Sequence, residues 1–154
     1  MIFGFGTALL VIGIVMVITQ LNFYQEQNKS EIQIQTDSLI ADITSYEKTI
    51  PQMPQPTYSK DPIEMQKLWD EYNKAITDYY SKLNSDFFDK FNTRIANTII
   101  KLHNLNIISD TEFEQTKSFY NFMPTAHVGL PILLERLNTY KVRLDERVKA
   151  LAAK

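Results

Sequence analysis

The chain opens with nineteen uncharged residues, Met1 to Thr19, and no other stretch limits its possible folds as strongly. Apart from Gly4, Gly6, Thr7, Ala8, Gly13 and Thr19, every residue in the run is a sizeable apolar one. At about 1.5 Å per residue such a run makes a helix of roughly 28 Å, close to the ~30 Å hydrocarbon thickness of a bilayer. Residues 1–20 therefore read as a single transmembrane anchor. A cleavable secretory signal would bring a basic n-region, a shorter apolar core and a small-residue cleavage site. Here the positive group ahead of the run is the α-amino group, and the exit reads Val17-Ile18-Thr19-Gln20-Leu21. The positive-inside rule finds little to count, because the first basic residue is Lys29, set between Glu26 and Glu31. The expectation is an extracytoplasmic helical domain on a single-pass, membrane-localised chain. Gly6, Gly13 and Gln20 recur every seven residues and share one helix face. Small residues let helix backbones approach closely in lipid, so this face is the expected packing surface of the membrane helix.

Beyond the run, about 135 residues suffice for one modest domain with its own core. That domain keeps one glycine, Gly129, of the four in the chain. Tight β-turns are therefore scarce, and long helices are favoured. The absence of cysteine excludes a disulfide framework, a thiolate metal site and a cysteine nucleophile. A formal net charge of −2 gives no general attraction to nucleic acid.

Residues 21–31 form a polar collar, with Phe23 and Tyr24 where aromatic residues favour the membrane interface. Over 32–50, Ile32, Thr36, Leu39, Ile43, Tyr46 and Ile50 keep the three-and-four spacing of a narrow-striped amphipathic helix, as in a coiled coil. Pro51-Gln-Met-Pro-Gln-Pro56 ends it, and 51–60 reads as an extended proline-rich connector. Asp61-Pro62-Ile63-Glu64 is a strong helix start, with an N-cap, a proline at N1 and an acidic N3. The helical domain occupies 61–154. Its long helix, about 62–107, carries the stripe Met65, Leu68, Tyr72, Ile76, Tyr79, Leu83, Phe87, Phe91, Ile95, Thr98, Leu102 and Leu105. Asn84-Ser85-Asp86, residues that favour caps, is the one place along it where a break or kink stays open. Ser109 and Glu112 form a second capping box, stapled by Ile108 and Phe113, ahead of a short helix over about 110–122. Thr125 to Gly129 reads as a turn, and Pro131 as the opening of the last helix, about 131–152, striped by Leu133, Leu137, Tyr140, Leu144 and Val148.

The fold class expected is all-α, with an N-terminal transmembrane helix followed by an antiparallel bundle of three or four long helices. Neighbours linked through proline should run antiparallel. The 32–50 helix is expected on the first half of the long helix, and the short and last helices on its second half.

No pattern for catalysis stands out. Neither His103 nor His127 belongs to an H-E-x-x-H or Glu-x-x-His pattern, and Asp86 with Asp89 lacks a glycine-containing calcium loop. No enzyme activity, cofactor or metal is expected. The aromatic series on the long helix includes Tyr80 and Phe88, which lie off the stripe. With Trp69 they are the candidate groove for a partner helix or lipid. Expected partners are membrane lipid and protein, including further copies of the chain, and not nucleic acid.

Two resemblances bear on function. Tyr72-Asn73-Lys74-Ala75-Ile76-Thr77-Asp78-Tyr79 resembles the tyrosine–asparagine helix motif of LemA-type proteins over eight residues, but the arginine-rich segment after the span is missing, so membership does not follow. In outline the chain also resembles pilin-like subunits, whose uncharged N-terminal helix runs on into an amphipathic one. It departs from type IV pilins in having no basic leader and in carrying Phe5 where those proteins usually have a glutamate, although archaeal relatives also lack that residue. The leading expectation is a non-catalytic, membrane-anchored scaffold component of a membrane-associated assembly. The alternative is a pilin-like filament subunit with the apolar helix in the filament core.

Overall fold

In the computed structural model, which describes residues 30–121 and 126–152, every regular element is a helix. The helices are α1 (30–47), α2 (Pro62–Asn104), α3 (Asp110–Asn121) and α4 (Ala126–Ala152). The apolar run, most of the polar collar and the Gly6–Gly13–Gln20 face lie outside the described residues. Among the described residues, no helix is long and apolar enough to cross a membrane.

The path of the chain follows from contacts between elements. Arg94 meets Asp42 at 2.7 Å, Lys101 meets Gln35 at 2.7 Å, and the Tyr46 ring lies 5.4 Å from Phe91, so α1 runs antiparallel to α2. His103 with Asp110 at one end, and Phe88 with Tyr120 at the other, make α3 antiparallel to α2. Arg143 reaches Glu112 at 2.6 Å, and Lys141 reaches Asp37 at 3.1 Å, so α4 is antiparallel to both α3 and α1. The result is an up-down-up-down four-helix bundle.

Its core is the set of stripes turned inward. Ile32, Leu39, Ile43 and Tyr46 of α1 meet Leu83, Phe87, Phe91, Ile95, Ile99 and Leu102 of α2 and Leu130, Leu133, Leu137, Tyr140 and Leu144 of α4. Burying a side chain of this size contributes about 1.5–3 kcal/mol. Thr36 is fully buried and donates to the Ile32 carbonyl at 2.7 Å, which satisfies its hydroxyl inside the helix. Thr116 and Tyr140 pair their hydroxyls at 2.6 Å in the α3–α4 seam.

Local signals behave as their chemistry requires. Asp61 accepts from the Ile63 N–H at 2.8 Å, and Met65 N–H bonds the Asp61 carbonyl at 2.8 Å, opening α2. Ser109 and Glu112 cap α3 reciprocally, at 2.9 and 3.3 Å. The end of α2 is a Schellman motif. Asn106 takes φ 54° and donates to His103, while Ile107 donates to Leu102 at 3.0 Å. Asparagine fills the left-handed position where glycine is usual.

One open point is decided and two expectations are corrected. First, the long helix α2 is continuous through Asn84-Ser85-Asp86, because Leu83 and Phe87 on either side are held in the core. Second, α4 starts at Ala126, so His127 and Gly129 are helical and Pro131 lies inside the helix. As the sixth residue, Pro131 lies beyond the four N–H groups that have no intrahelical partner, so it forfeits one bond of the helix. Third, α1 covers the second half of α2, not the first. Asp42 opposite Arg94 and Tyr46 beside Phe87 set this register. Residues 62–82 of α2 consequently project beyond the bundle as an arm, and none of them is buried.

Candidate functional site

The arm owes its length to the connector. Proline removes backbone donors and holds the chain extended, at about 3.1 Å per residue. From Pro51 to Ser59 this spans roughly 25 Å. The Tyr79 hydroxyl donates to the Pro51 carbonyl at 3.0 Å, the Tyr80 hydroxyl donates to the Met53 sulfur at 3.2 Å, and Ser59 donates to Glu64 at 2.5 Å. Between Tyr79 and Glu64 the helix rises roughly 22 Å. The two lengths agree, so the connector lies along the arm as a strap and delivers the chain to the helix start at its tip. The arm is as long as the connector makes it.

Under this strap Met65, Leu68, Tyr72, Ile76 and Tyr79 are half-buried. The strap crosses from Tyr80 at the bundle end to Glu64 at the tip. Trp69 is left beside the stripe at 46% exposure, its ring 5.6 Å from Tyr72. Tyr58 and Ile63 are also exposed near the tip. The arm is therefore an aromatic-rich helix face with partial cover from its own chain.

Where the strap leaves α1, a cavity of about 260 Å³ opens between Tyr46, Thr49, Ile50, Pro51, Tyr79, Lys82, Leu83 and Asp86. Several of its polar groups bond one another. Lys90 bonds Asp86 at 2.8 Å and, with help from the Tyr46 hydroxyl, holds that carboxyl below the ordinary range. Burial and the neighbouring Asp86 charge push the Tyr46 phenol up. Tyr46 also donates to the Leu83 carbonyl at 3.4 Å. Opposed charges tied to each other in this way hold the corner together.

The three residues singled out as a groove do not converge. Trp69 is exposed on the arm, Tyr80 is tied to the strap, and Phe88 packs 5.6 Å from Tyr120 of α3 inside the bundle. The structure thus distributes them over three surroundings. The sequence marks 51–60 as an extended connector but does not show that it lies along α2. Its signal was the spacing of Pro51, Pro54 and Pro56, which converts a nine-residue gap into a long reach.

The histidines are similarly placed. His103 bonds Asp110 at 2.7 Å and stacks 4.5 Å from Phe113, which clamps the α2–α3 corner. The side chain of His127 lies outside the described residues. Among the described residues, no group of three or more histidine, aspartate or glutamate side chains is gathered as metal ligands would be, and no buried side-chain polar atom lacks a partner. Burial pushes the Tyr120 phenol up to about 12, so it stays a neutral donor, bonding Asn92 at 3.1 Å.

The arm, flanked by its strap, keeps Trp69 and Ile63 exposed. Comparison with known protein families, curated proteins and solved structures finds no match for this chain.

Proposed function

We propose that the chain is a non-catalytic, single-pass scaffold component of a membrane-associated assembly, anchored by residues 1–20 and acting through its helical domain. The observation that carries this reading is that the two ends of the bundle differ. Residues 30 and 31 enter beside Lys101, at the end where α2 finishes, whereas the arm leaves from the opposite end. An anchor in residues 1–20 would hold one end at the bilayer and present Trp69 and its neighbours away from it. Lipid and protein are then the partners, and the domain is extracytoplasmic.

The test is membrane fractionation of cells expressing the full chain. Detergent-dependent extraction, together with resistance to alkaline carbonate, is the expected result. Protease treatment of sealed membranes should digest the domain from the outer side. A chain released without detergent as polymer of uniform diameter would instead support the pilin-like filament reading, which rests on the uncharged run standing directly before an amphipathic segment. A soluble monomer would defeat both.

A further inference from the structure

We infer that Met53 is a modification site: a peroxide-class oxidant converts its thioether to the sulfoxide, and the sulfoxide releases the strap from the α2 arm. The site holds whether or not residues 1–20 anchor the chain.

The placement of sulfur points to it. The chain has no cysteine, so its oxidisable sulfur is all methionine. The described residues hold two methionines, Met53 and Met65, and neither belongs to the bundle core. Met53 stands on the strap where it meets the bundle end of the arm, with the Tyr80 hydroxyl on its sulfur. Met65 stands near the arm tip, next to Glu64, which Ser59 of the strap holds. Both are half-buried. Among the described residues, methionine oxidation therefore falls on the strap and arm and spares the core.

Of the two, Met53 is the one bonded across the contact. Among the described residues, no backbone–backbone hydrogen bond joins 51–59 to α2. The strap is held by side-chain bonds instead: Tyr79 to the Pro51 carbonyl, Tyr80 to the Met53 sulfur and Ser59 to Glu64. Met53 keeps part of its surface in water, where a peroxide meets it. A sulfur lone pair attacks one peroxide oxygen, so an S–O bond forms and the O–O bond breaks. The sulfur gives up two electrons. The departing hydroxide takes the proton of the new S–OH group and leaves as water. A flexible apolar side chain with a weak acceptor becomes a polar, chiral one with an acceptor oxygen. That oxygen draws water into an apolar contact, and the Tyr80 hydroxyl loses its bond to the sulfur. Met65, Leu68, Tyr72, Ile76 and Tyr79 then lose their cover, and a helix takes most of its stability from packing such a face. The arm frays from its tip inward.

The full chain in mild detergent, treated with hydrogen peroxide, tests this by peptide mass spectrometry and hydrogen exchange. Met53 should gain one oxygen. Exchange of the arm amides at 65–76 should quicken by roughly two- to tenfold, the range set by losing a sulfur–aromatic contact. Amides at 87–99, in the bundle, should keep their rate. Reduction by the two methionine sulfoxide reductases should restore slow exchange in the arm. Met53→Leu keeps an apolar side chain of similar volume and has no sulfur to oxidise. Its arm should exchange at one rate before and after peroxide. Four results would overturn the inference. Met53 could stay unoxidised at peroxide levels that convert free methionine, or its sulfoxide could leave the arm rate unchanged. The bundle amides could quicken as much as the arm. Lastly, Met53→Leu could respond to peroxide as the wild type does, which would place the effect at another methionine.

Discussion

The two halves of α2 belong to one unbroken helix and carry the same three-and-four apolar spacing, yet they occupy different environments. Leu83, Phe87, Phe91, Ile95, Ile99 and Leu102 are buried, while Met65, Leu68, Tyr72, Ile76 and Tyr79 are half-covered. The period of a stripe states which face wants cover. It does not state which neighbour arrives. That is set by the lengths of the other elements and by how the chain travels between them. Here α1 ends opposite the middle of α2, and an extended connector, not a helix, completes the return. One half of α2 becomes a core element and the other an arm with a strap.

The largest separation between the halves should appear on truncating each stripe. Phe87 is fully buried among Tyr46, Phe88 and Phe91. Phe87→Ala should cost about 3–5 kcal/mol, through lost transfer energy and the cavity left behind. Leu68→Ala, beneath the strap, should cost about 1 kcal/mol or less and leave the midpoint of the bundle transition in place. Urea unfolding of the full chain in mild detergent, followed by helical circular dichroism, measures both. A Leu68→Ala midpoint displaced as far as that of Phe87→Ala would make the arm part of the cooperative core and erase the distinction.

How much of this was legible in the sequence follows from the same difference. The inward face of α1 was readable residue by residue, because Ile32, Thr36, Leu39, Ile43 and Tyr46 repeat with a helix period and all are buried. The starts of α2 and α3 were readable because Asp61-Pro62 and Ser109…Glu112 satisfy backbone donors locally, whatever the fold around them. The register of α1 on α2 was not. It depends on Arg94 reaching Asp42 and Lys101 reaching Gln35, pairs 52 and 66 residues apart along the chain. The start of α4 was misplaced because Pro131 looks like a first helical residue from the sequence alone, while Leu130 beside it is fully buried and the helix begins five residues earlier. Of the candidate groove, the exposed aromatic was visible in Trp69. That Phe88 would be taken by Tyr120, and Tyr80 by Met53, required the paths of α3 and the connector.

Deleting one cap from each region tests the comparison on a smaller scale. Asp61 caps the arm tip and Ser109 caps α3 at the bundle corner, each through its side-chain oxygen. Replacing such a residue with alanine costs typically about 1 kcal/mol of local helix stability. In Ser109→Ala the loss should fall on global stability, because α3 folds with the core. In Asp61→Ala it should appear as fraying, with faster hydrogen exchange of the amides at 63–66 and no change in the global transition. A lowered global midpoint in Asp61→Ala would show that the tip is coupled to the bundle.

The smallest expected effect comes from acid. Glu112 and Asp145 each tie two bundle helices together, and on the arm the Lys67–Glu71 pair at 3.8 Å lies within one helix. The Ser109 backbone N–H, with Arg143, holds the Glu112 carboxyl below its ordinary value of 4.5. Lys141, with Gln33, holds Asp145 below 3.8. A carboxyl whose value is lower in the folded chain binds fewer protons there than in the unfolded chain. Its contribution is complete above the unfolded value and is lost as pH falls through the folded one. Stability should therefore be level from pH 7 to about 5 and decline below about 4.5. Lys141, raised by its bonds to Asp145 and Asp37, acts on the opposite limb, and its contribution is lost only as pH rises past the ordinary lysine value of 10.5. Glu112→Gln retains an acceptor for the capping box but cannot ionise. It should lose about 1 kcal/mol or less at pH 7, as expected of a partly exposed ion pair, and its acid limb should be shallower, meeting the wild-type curve at low pH. Parallel acid limbs in unfolding curves taken from pH 7 to 3 would mean that Arg143 and Glu112 do not bind α3 to α4 in solution, and the α3–α4 seam would then rest on Thr116, Tyr140 and the leucines beneath them.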